Sequence, residues 1–228
     1  MVVGQASLEQ CPCHFRAAAV SGLSVATWNI HKGVGSDRKR DLNRTAAVIG
    51  EIAPDIMALQ EADTRFGGRK GLLNLAALAR DHGLVAVAVP GGGAAHGWNL
   101  VARWIADLRH QGHAMRVIGT HLCLLPFSRT AQTRHLVSLL AGLDSRPTLL
   151  MGDLNQWRAG ESVAQRHLAT HFQNQVALPS FPARYPMAPL DRIMIHGPAR
   201  LNEGRVHDTP LARRASDHLP LTARLWLD

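Results

Sequence analysis

Thr148-Leu149-Leu150-Met151-Gly152-Asp153-Leu154-Asn155 places an unbroken apolar run directly against a carboxylate and an amide. A short apolar run without polar alternation is what a strand covered on both faces requires. Strands of that kind lie in sheets flanked by helices, which points to an α/β fold. The polar pair at the end of the run is the second signal, because it recurs. Leu23-Ser24-Val25-Ala26-Thr27-Trp28 runs into Asn29, and Asp55-Ile56-Met57-Ala58-Leu59 runs into Gln60-Glu61. Val117-Ile118-Gly119-Thr120 runs into His121, while Leu190-Asp191-Arg192-Ile193 and Ser216-Asp217-His218-Leu219-Pro220 carry further acidic and imidazole groups beside apolar stretches. An unpartnered buried polar group costs about 1–3 kcal/mol, so strand-end polar groups repeated in this way point to one shared site that holds a metal ion.

The segments between these motifs read mostly as helices. Apolar residues at helical spacing run from Leu42 to Ile52 and stop near Pro54, and a second helix is expected over Leu72–Asp81, closed by Gly83 before a strand at Leu84–Val89. Two β-like runs, Trp98–Ile105 and Ala114–Thr120, precede a covering helix over Ser128–Leu143, with Leu136, Leu139, Leu140 and Leu143 on one face. Late strands are expected at Ile193–Ile195 and Leu219–Leu227. The chain has 228 residues, 46% of them hydrophobic, and shows no Pro/Gly/Ser-rich linker or repeat, so one domain over 23–228 is expected, with 1–22 a poorly ordered extension.

The net charge of +8 favours polyanionic partners. Arg38-Lys39-Arg40, Arg65, Arg69, Lys70 and Arg213-Arg214 lie on segments beside the proposed site motifs. Three cysteines, Cys11, Cys13 and Cys123, do not make a disulfide framework, and their odd number suits a reducing compartment. Cys11-x-Cys13 beside His14 lacks the second pair a zinc site needs. No export signal or membrane-spanning stretch of ~18–20 apolar residues is read, so a cytoplasmic protein is expected. Oligomeric state leaves no trace in the sequence.

In their order along the chain, these motifs resemble the endonuclease/exonuclease/phosphatase superfamily, which includes DNase I, abasic-site endonucleases, inositol polyphosphate 5-phosphatases and bacterial sphingomyelinases. The resemblance runs from about Leu23 to Leu227. It implies a DNase I-like four-layer α/β sandwich, with two mixed β-sheets face to face and helices outside. It also implies a hydrolase that splits phosphate esters, most often phosphodiesters, by direct attack of water with Mg²⁺ or Mn²⁺. The alternative is a catalytically impaired member that binds phospholigands or proteins.

Carried onto this sequence, the resemblance makes Glu61 the main metal ligand, with Asn29 and Asp217 beside it. Hard divalent cations take oxygen donors and keep several waters, so such a set needs no closed cage. His218 is the imidazole oriented by Asp191, Asp153 positions water, Asn155 binds phosphate, and His121 contacts a phosphate oxygen or the leaving group. His31 is near enough to line the cleft, and the Phe181-Pro182-Ala183-Arg184-Tyr185 segment is expected to overhang it. The interval Leu100–Thr120 is shorter than the family's usual stretch and has only Asp107 as an acid to support His121, which implies a trimmed sheet or an impaired site. Nucleic acid, a phospholipid headgroup and a small phosphate ester are all admissible substrates. Leu124-Leu125-Pro126-Phe127 could be a membrane-facing apolar element, but core packing is the expectation for it.

Overall fold

A computed structural model describes residues 1–5, 22–63, 71–87, 102–142, 144–157 and 163–228. Its strands are β1 (Val2–Gln5), β2 (Leu23–Asn29), β3 (Ile56–Gln60), β4 (Leu84–Ala86), β5 (Ala102–His110), β6 (His113–His121), β7 (Thr148–Asp153), β8 (Asn174–Val176), β9 (Asp191–His196), β10 (Ala199–Val206) and β11 (Leu221–Leu227). The helices are α1 (Leu42–Ile52), α2 (Leu75–His82), α3 (Pro126–Ala141), α4 (Val163–Ala169) and α5 (Pro210–Ala215). One mixed sheet has the order β10-β11-β2-β3-β1-β4, and the second has the order β5-β6-β7-β9-β8.

Side-chain alternation explains why the sheets stack. In β2 and β3, Leu23, Val25, Ile56 and Ala58 enter one apolar cluster with Val117, Leu149, Met151, Ile193 and Ile195 of the other sheet. Their neighbours Ala26, Trp28, Met57 and Leu59 turn the opposite way, onto the Val48 and Ile49 stripe of α1, Leu78 of α2 and Ala212 and Ala215 of α5. On the second sheet Ile118, Leu150 and Met194 face outward, against Leu136 of α3 and Leu168 of α4. The result is helix, sheet, sheet, helix: an α/β sandwich of four layers, apolar on both faces of its central strands, as the uninterrupted runs require.

The same parity positions the polar residues. Asn29 shares its phase with Val25, His121 with Val117, Asp153 with Met151, and Asp191 with Ile193, so all four fall on the inter-sheet side of their strands. Register puts them at one end: His121 is opposite Asp153, Asp153 opposite Asp191, and Asn29 opposite Gln60.

Helix α1 begins at Asp41, whose side chain accepts from the Asn43 and Arg44 amides, and ends at Ala53 in the left-handed region. The second expected helix starts later, at Leu75 behind an Asn74 cap, and Gly83 closes it at φ 68°. Trp98–Val101 and Leu143, included in the sequence expectations, lie outside the described residues.

Residues 1–22 do not lie wholly outside the domain. Val2–Gln5 pair antiparallel with β3 on one side and β4 on the other. Val2 and Val3 are buried in the two clusters that flank the sheet, and a fully paired strand leaves no raw edge there. Residues 6–21 are not among those described.

Gly152, just before Asp153, tolerates no side chain. Its φ is 154°, and a Cβ there would sit 1.9 Å from the Thr120 carbonyl oxygen, which is fixed backbone. Gly152→Ala is expected to cost about 3 kcal/mol or more, read as a lower urea midpoint, because β6 and β7 must separate at the residue that delivers Asp153. An unchanged midpoint would show that the close strand approach is not needed.

Candidate active site

The strand ends converge. Asp153 is 1% exposed and is the hub. Its Oδ1 accepts from the Asn155 backbone N–H at 2.8 Å, and its Oδ2 accepts from Asn29 Nδ2 at 3.1 Å, a bond that spans the two sheets. His121 Nε2 lies 3.5 Å and His218 Nε2 3.7 Å from Oδ2. On the far side of His218, Nδ1 is 2.9 Å from Asp191 Oδ2, and the same oxygen accepts from Ser180 Oγ at 2.6 Å. A carboxylate, an imidazole and a second carboxylate therefore follow one another in a nearly dry setting, with Asp191 fully buried.

The surroundings of His218 follow from local sequence. Trp28 Nε1 donates to the His218 carbonyl at 2.9 Å, and Ser216 Oγ donates to the Asn29 carbonyl at 2.7 Å, so β2 anchors the Ser-Asp-His segment twice. Burial disfavours the imidazolium, but the charge and hydrogen bond of Asp191, reinforced by Asp153 and Asp217, outweigh it and raise the His218 pKa to about 9. Burial first, then the like charge of Asp191, pushes Asp153 above the ordinary carboxylate range, against the pull of His121, His218 and the Asn155 N–H. A carboxylate held toward its proton-accepting side beside an imidazole held toward its charged form can exchange a proton with a water between them.

The three oxygen donors expected for a metal lie on segments tied to β2, and Asn29 Oδ1 accepts from the His31 N–H at 3.0 Å. Asn29 and Gln60 are register partners in adjacent parallel strands, Glu61 follows Gln60, and the Ser216 bond to Asn29 brings Asp217 alongside. The Glu61 side chain is 14% exposed and the Asp217 side chain 41%, which suits a cation that retains waters. The expected donor set is all oxygen, two carboxylates and an amide, the chemistry that hard divalent cations take. Asp153, Asp191 and His218 also offer one ligand atom each within 4.8 Å of one another. In this arrangement His218 Nδ1 and Asp191 Oδ2 are hydrogen-bonded to each other at 2.9 Å, and Ser180 Oγ also donates to that Asp191 oxygen.

Several site residues adopt left-handed backbone: Glu61 at φ 52°, Asn155 at φ 50°, His31 at φ 45° and Lys32 at φ 57°. Such conformations cost about 1–3 kcal/mol each and cluster where geometry serves function. Asn155 Nδ2 donates to the Leu122 carbonyl at 2.8 Å, which ties the loop after β7 to the loop after β6. Asp107 pairs with Arg116 at 3.0 Å and Arg146 at 2.9 Å, away from His121; the acid beside His121 is Asp153. The β5–β6 hairpin is present despite the short interval before His121.

Lys32 and Trp157 escaped sequence reasoning. Lys32 Nζ lies 3.6 Å from Glu61 Oε2, and His31, expected to line the cleft, has Nδ1 3.6 Å from Asp217 Oδ1. The ring of Phe181, on the segment expected to overhang the site, sits 4.8 Å from the His218 ring, and Trp157 meets Phe181 edge-on at 5.2 Å. Ser180, which holds Asp191, gave no signal beyond its place in a proline-rich turn. The expectation that Leu124-Leu125-Pro126-Phe127 packs in the core is overturned: Leu124 is 62%, Leu125 65% and Phe127 92% exposed, because Pro126 starts α3 at its outer tip.

Two mixed sheets with helices outside and one polar cluster at the strand ends define a DNase I-like α/β sandwich. The family model described as the Endonuclease/Exonuclease/phosphatase family matches residues 26–218, and the chain belongs to that family. It is 32% identical over 122 residues to the Escherichia coli K12 protein named "Uncharacterized protein YbhP", a match covering 51% of this chain and 48% of that one. The matched region thus spans about half the length of this curated relative. Among solved structures it resembles an endonuclease/exonuclease/phosphatase from Beutenbergia cavernae, with 23% identity and a TM-score of 0.64 over 90% of this chain and 72% of that one. It also resembles D. rerio TDP2 complexed with a single-strand DNA product, at 13% identity and a TM-score of 0.61, covering 90% and 99% of the two chains. Members of this family are generally phosphoesterase hydrolases, typically dependent on a divalent metal.

Proposed function

We propose that this protein is a divalent-metal-dependent phosphodiesterase that splits its ester by direct attack of water, with no covalent enzyme intermediate. The observation that carries this reading is the buried sequence Asp191, His218, Asp153, with His121 and Asn29 closing on the same Asp153 oxygen. No described side chain there is a hydroxyl or thiol nucleophile activated by the imidazole: Ser180 faces Asp191, and Ser216 bonds the Asn29 carbonyl. Water is the reactant that remains.

Asp191 holds one tautomer of His218 and stabilises its cation, leaving Nε2 toward Asp153 and the ester. Asp153 orients the attacking water and is placed to accept its proton. His121 and the Asn155 amide lie where a phosphoryl oxygen or leaving group can be contacted. Asn29, Glu61 and Asp217 would hold Mg²⁺ or Mn²⁺, which when bound supplies positive charge to the phosphoryl oxygens. The fold relative complexed with a single-strand DNA product agrees with a phosphodiester as substrate. The odd cysteine count favours a cytoplasmic setting, and among the described residues no helix is long and apolar enough to cross a membrane.

Hydrolysis of bis-p-nitrophenyl phosphate by the purified chain tests this directly. Turnover is expected with Mg²⁺ or Mn²⁺ and not in excess chelator. Glu61→Ala is expected to raise the metal concentration needed for half-maximal rate by at least about 10–100-fold. Turnover that ignores both chelator and the Glu61 change would defeat the proposal.

A further inference from the structure

The chemistry above uses the inner wall of the site and leaves its rim unexplained. Leu124, Leu125, Pro126 and Phe127 are four consecutive exposed residues that begin three positions after His121. They are held out firmly. Arg129, itself buried, donates to the Cys123 and Leu124 carbonyls at 3.3 and 3.0 Å, and the Cys123 N–H donates to Gln132 Oε1 at 2.8 Å. Burying a leucine or phenylalanine is worth about 1.5–3 kcal/mol, so a braced tip that keeps three of them in water marks a contact surface.

The other loops of the site repeat the pattern. Tyr185 is 65% and Met187 75% exposed, on the segment joining Ser180 to Asp191, and half-exposed Trp157 follows Asn155 by two residues. Exposed Arg184 lies 5.6 Å from the Tyr185 ring centre, Arg214 is exposed nearby on α5, and Arg38, Lys39 and Arg40 are exposed on the loop that bonds to the Arg214 carbonyl. The whole chain carries +8. Single-stranded nucleic acid would use the aromatic and basic groups but offers no solvent for Leu124, Leu125 and Met187. An anionic bilayer accepts all three kinds: aliphatic groups in the acyl boundary, Trp and Tyr at the headgroups, and arginines against lipid phosphates.

We propose that this rim docks on the surface of an anionic phospholipid bilayer, with Leu124, Leu125 and Phe127 seated in the acyl boundary and a lipid headgroup facing the site. Docking stands on the rim alone, and the claim that the headgroup phosphodiester is hydrolysed rests on the function proposed above.

Sedimentation of the full chain with sucrose-loaded vesicles tests it, using phosphatidylcholine alone and phosphatidylcholine containing phosphatidylglycerol. The protein is expected to sediment with the anionic vesicles. The triple variant Leu124→Ser, Leu125→Ser, Phe127→Ser is expected to lose at least about tenfold in affinity while hydrolysing soluble bis-p-nitrophenyl phosphate at the parent rate. Phe127→Ser alone, at a side chain with almost no neighbours to lose, is expected to shift binding the same way by less. Glu61→Ala is expected to bind vesicles as the parent does. Protein left in the supernatant with anionic vesicles overturns the proposal. So does binding that salt removes but the serine variants do not alter, and so does a rim needed for a single-stranded oligonucleotide instead of vesicles. Vesicle binding that depends on the tip, without turnover of any ester, would uphold docking and remove the phosphodiesterase reading.

Discussion

Asp153→Asn is expected to lower phosphodiester turnover by about 10²–10⁴-fold while leaving the protein folded. The carboxylate is 1% exposed, and burial together with the like charge of Asp191 works against its ionised form. A neutral amide of the same shape relieves both costs but offers one acceptor where the carboxylate offers two, so either the Asn29 or the Asn155 donor loses its partner and the urea midpoint is expected to change little. What disappears is the proton acceptor facing His121 and His218. Asp153→Ala makes the complementary case: it strands the Asn29 Nδ2 and Asn155 N–H donors and is expected to cost roughly 2–4 kcal/mol as well as the activity. Measured rates on bis-p-nitrophenyl phosphate and urea midpoints separate the two effects. Parent-level turnover by Asp153→Asn would remove Asp153 from the chemistry.

The second large effect concerns Asp191 and His218. Asp191→Ala is expected to lower turnover by about 10²–10⁴-fold, because the imidazole loses the partner that selects its tautomer and favours its cation. The His218 pKa is expected to fall from about 9, followed by NMR of the imidazole. Stability should follow the same proton. His218 has a higher pKa folded than the ordinary value of 6.5, so the folded chain binds the proton more tightly. Its contribution is fully present below about pH 6.5 and is lost as pH rises through about 9. The urea midpoint of the parent is therefore expected to decline between pH 6.5 and 10 by an amount on the order of 3 kcal/mol, and His218→Gln should flatten that decline. A decline of equal size in the variant would assign the dependence to other groups.

Much of the site was legible because its polar groups stand beside apolar runs, which mark the strands and where they end. The unbroken runs do not say which face each residue takes; in the fold the phase that buries Val117, Met151 and Ile193 also turns His121, Asp153 and Asp191 inward. Helix α1 was equally plain, from its spacing and its stop before Pro54. Other elements gave weaker signals. The strand β10 mixes Arg200, Asn202, Glu203 and Arg205 into an edge position, where one side can be wet, so its apolar content is low. The strand β1 is four residues long, too short for any period to show, and its place between β3 and β4 is set by main-chain pairing. Ser180 and Phe181 reach Asp191 and His218 through a loop, where spacing along the chain has no fixed relation to distance in space.

The amino-acid sequence by itself determined the α/β layering and which polar residues end the strands, because both depend on local periodicity and on the cost of burying unpaired groups. Tertiary structure alone decided that Asn29 reaches across the sandwich to Asp153, that Asp153 serves both His121 and His218, and that an apolar tip hydrophobic enough for a core stands in water beside them. Those outcomes depend on which sheet faces which and where a helix begins in space, and hydrophobicity along a chain does not encode the direction a side chain finally points.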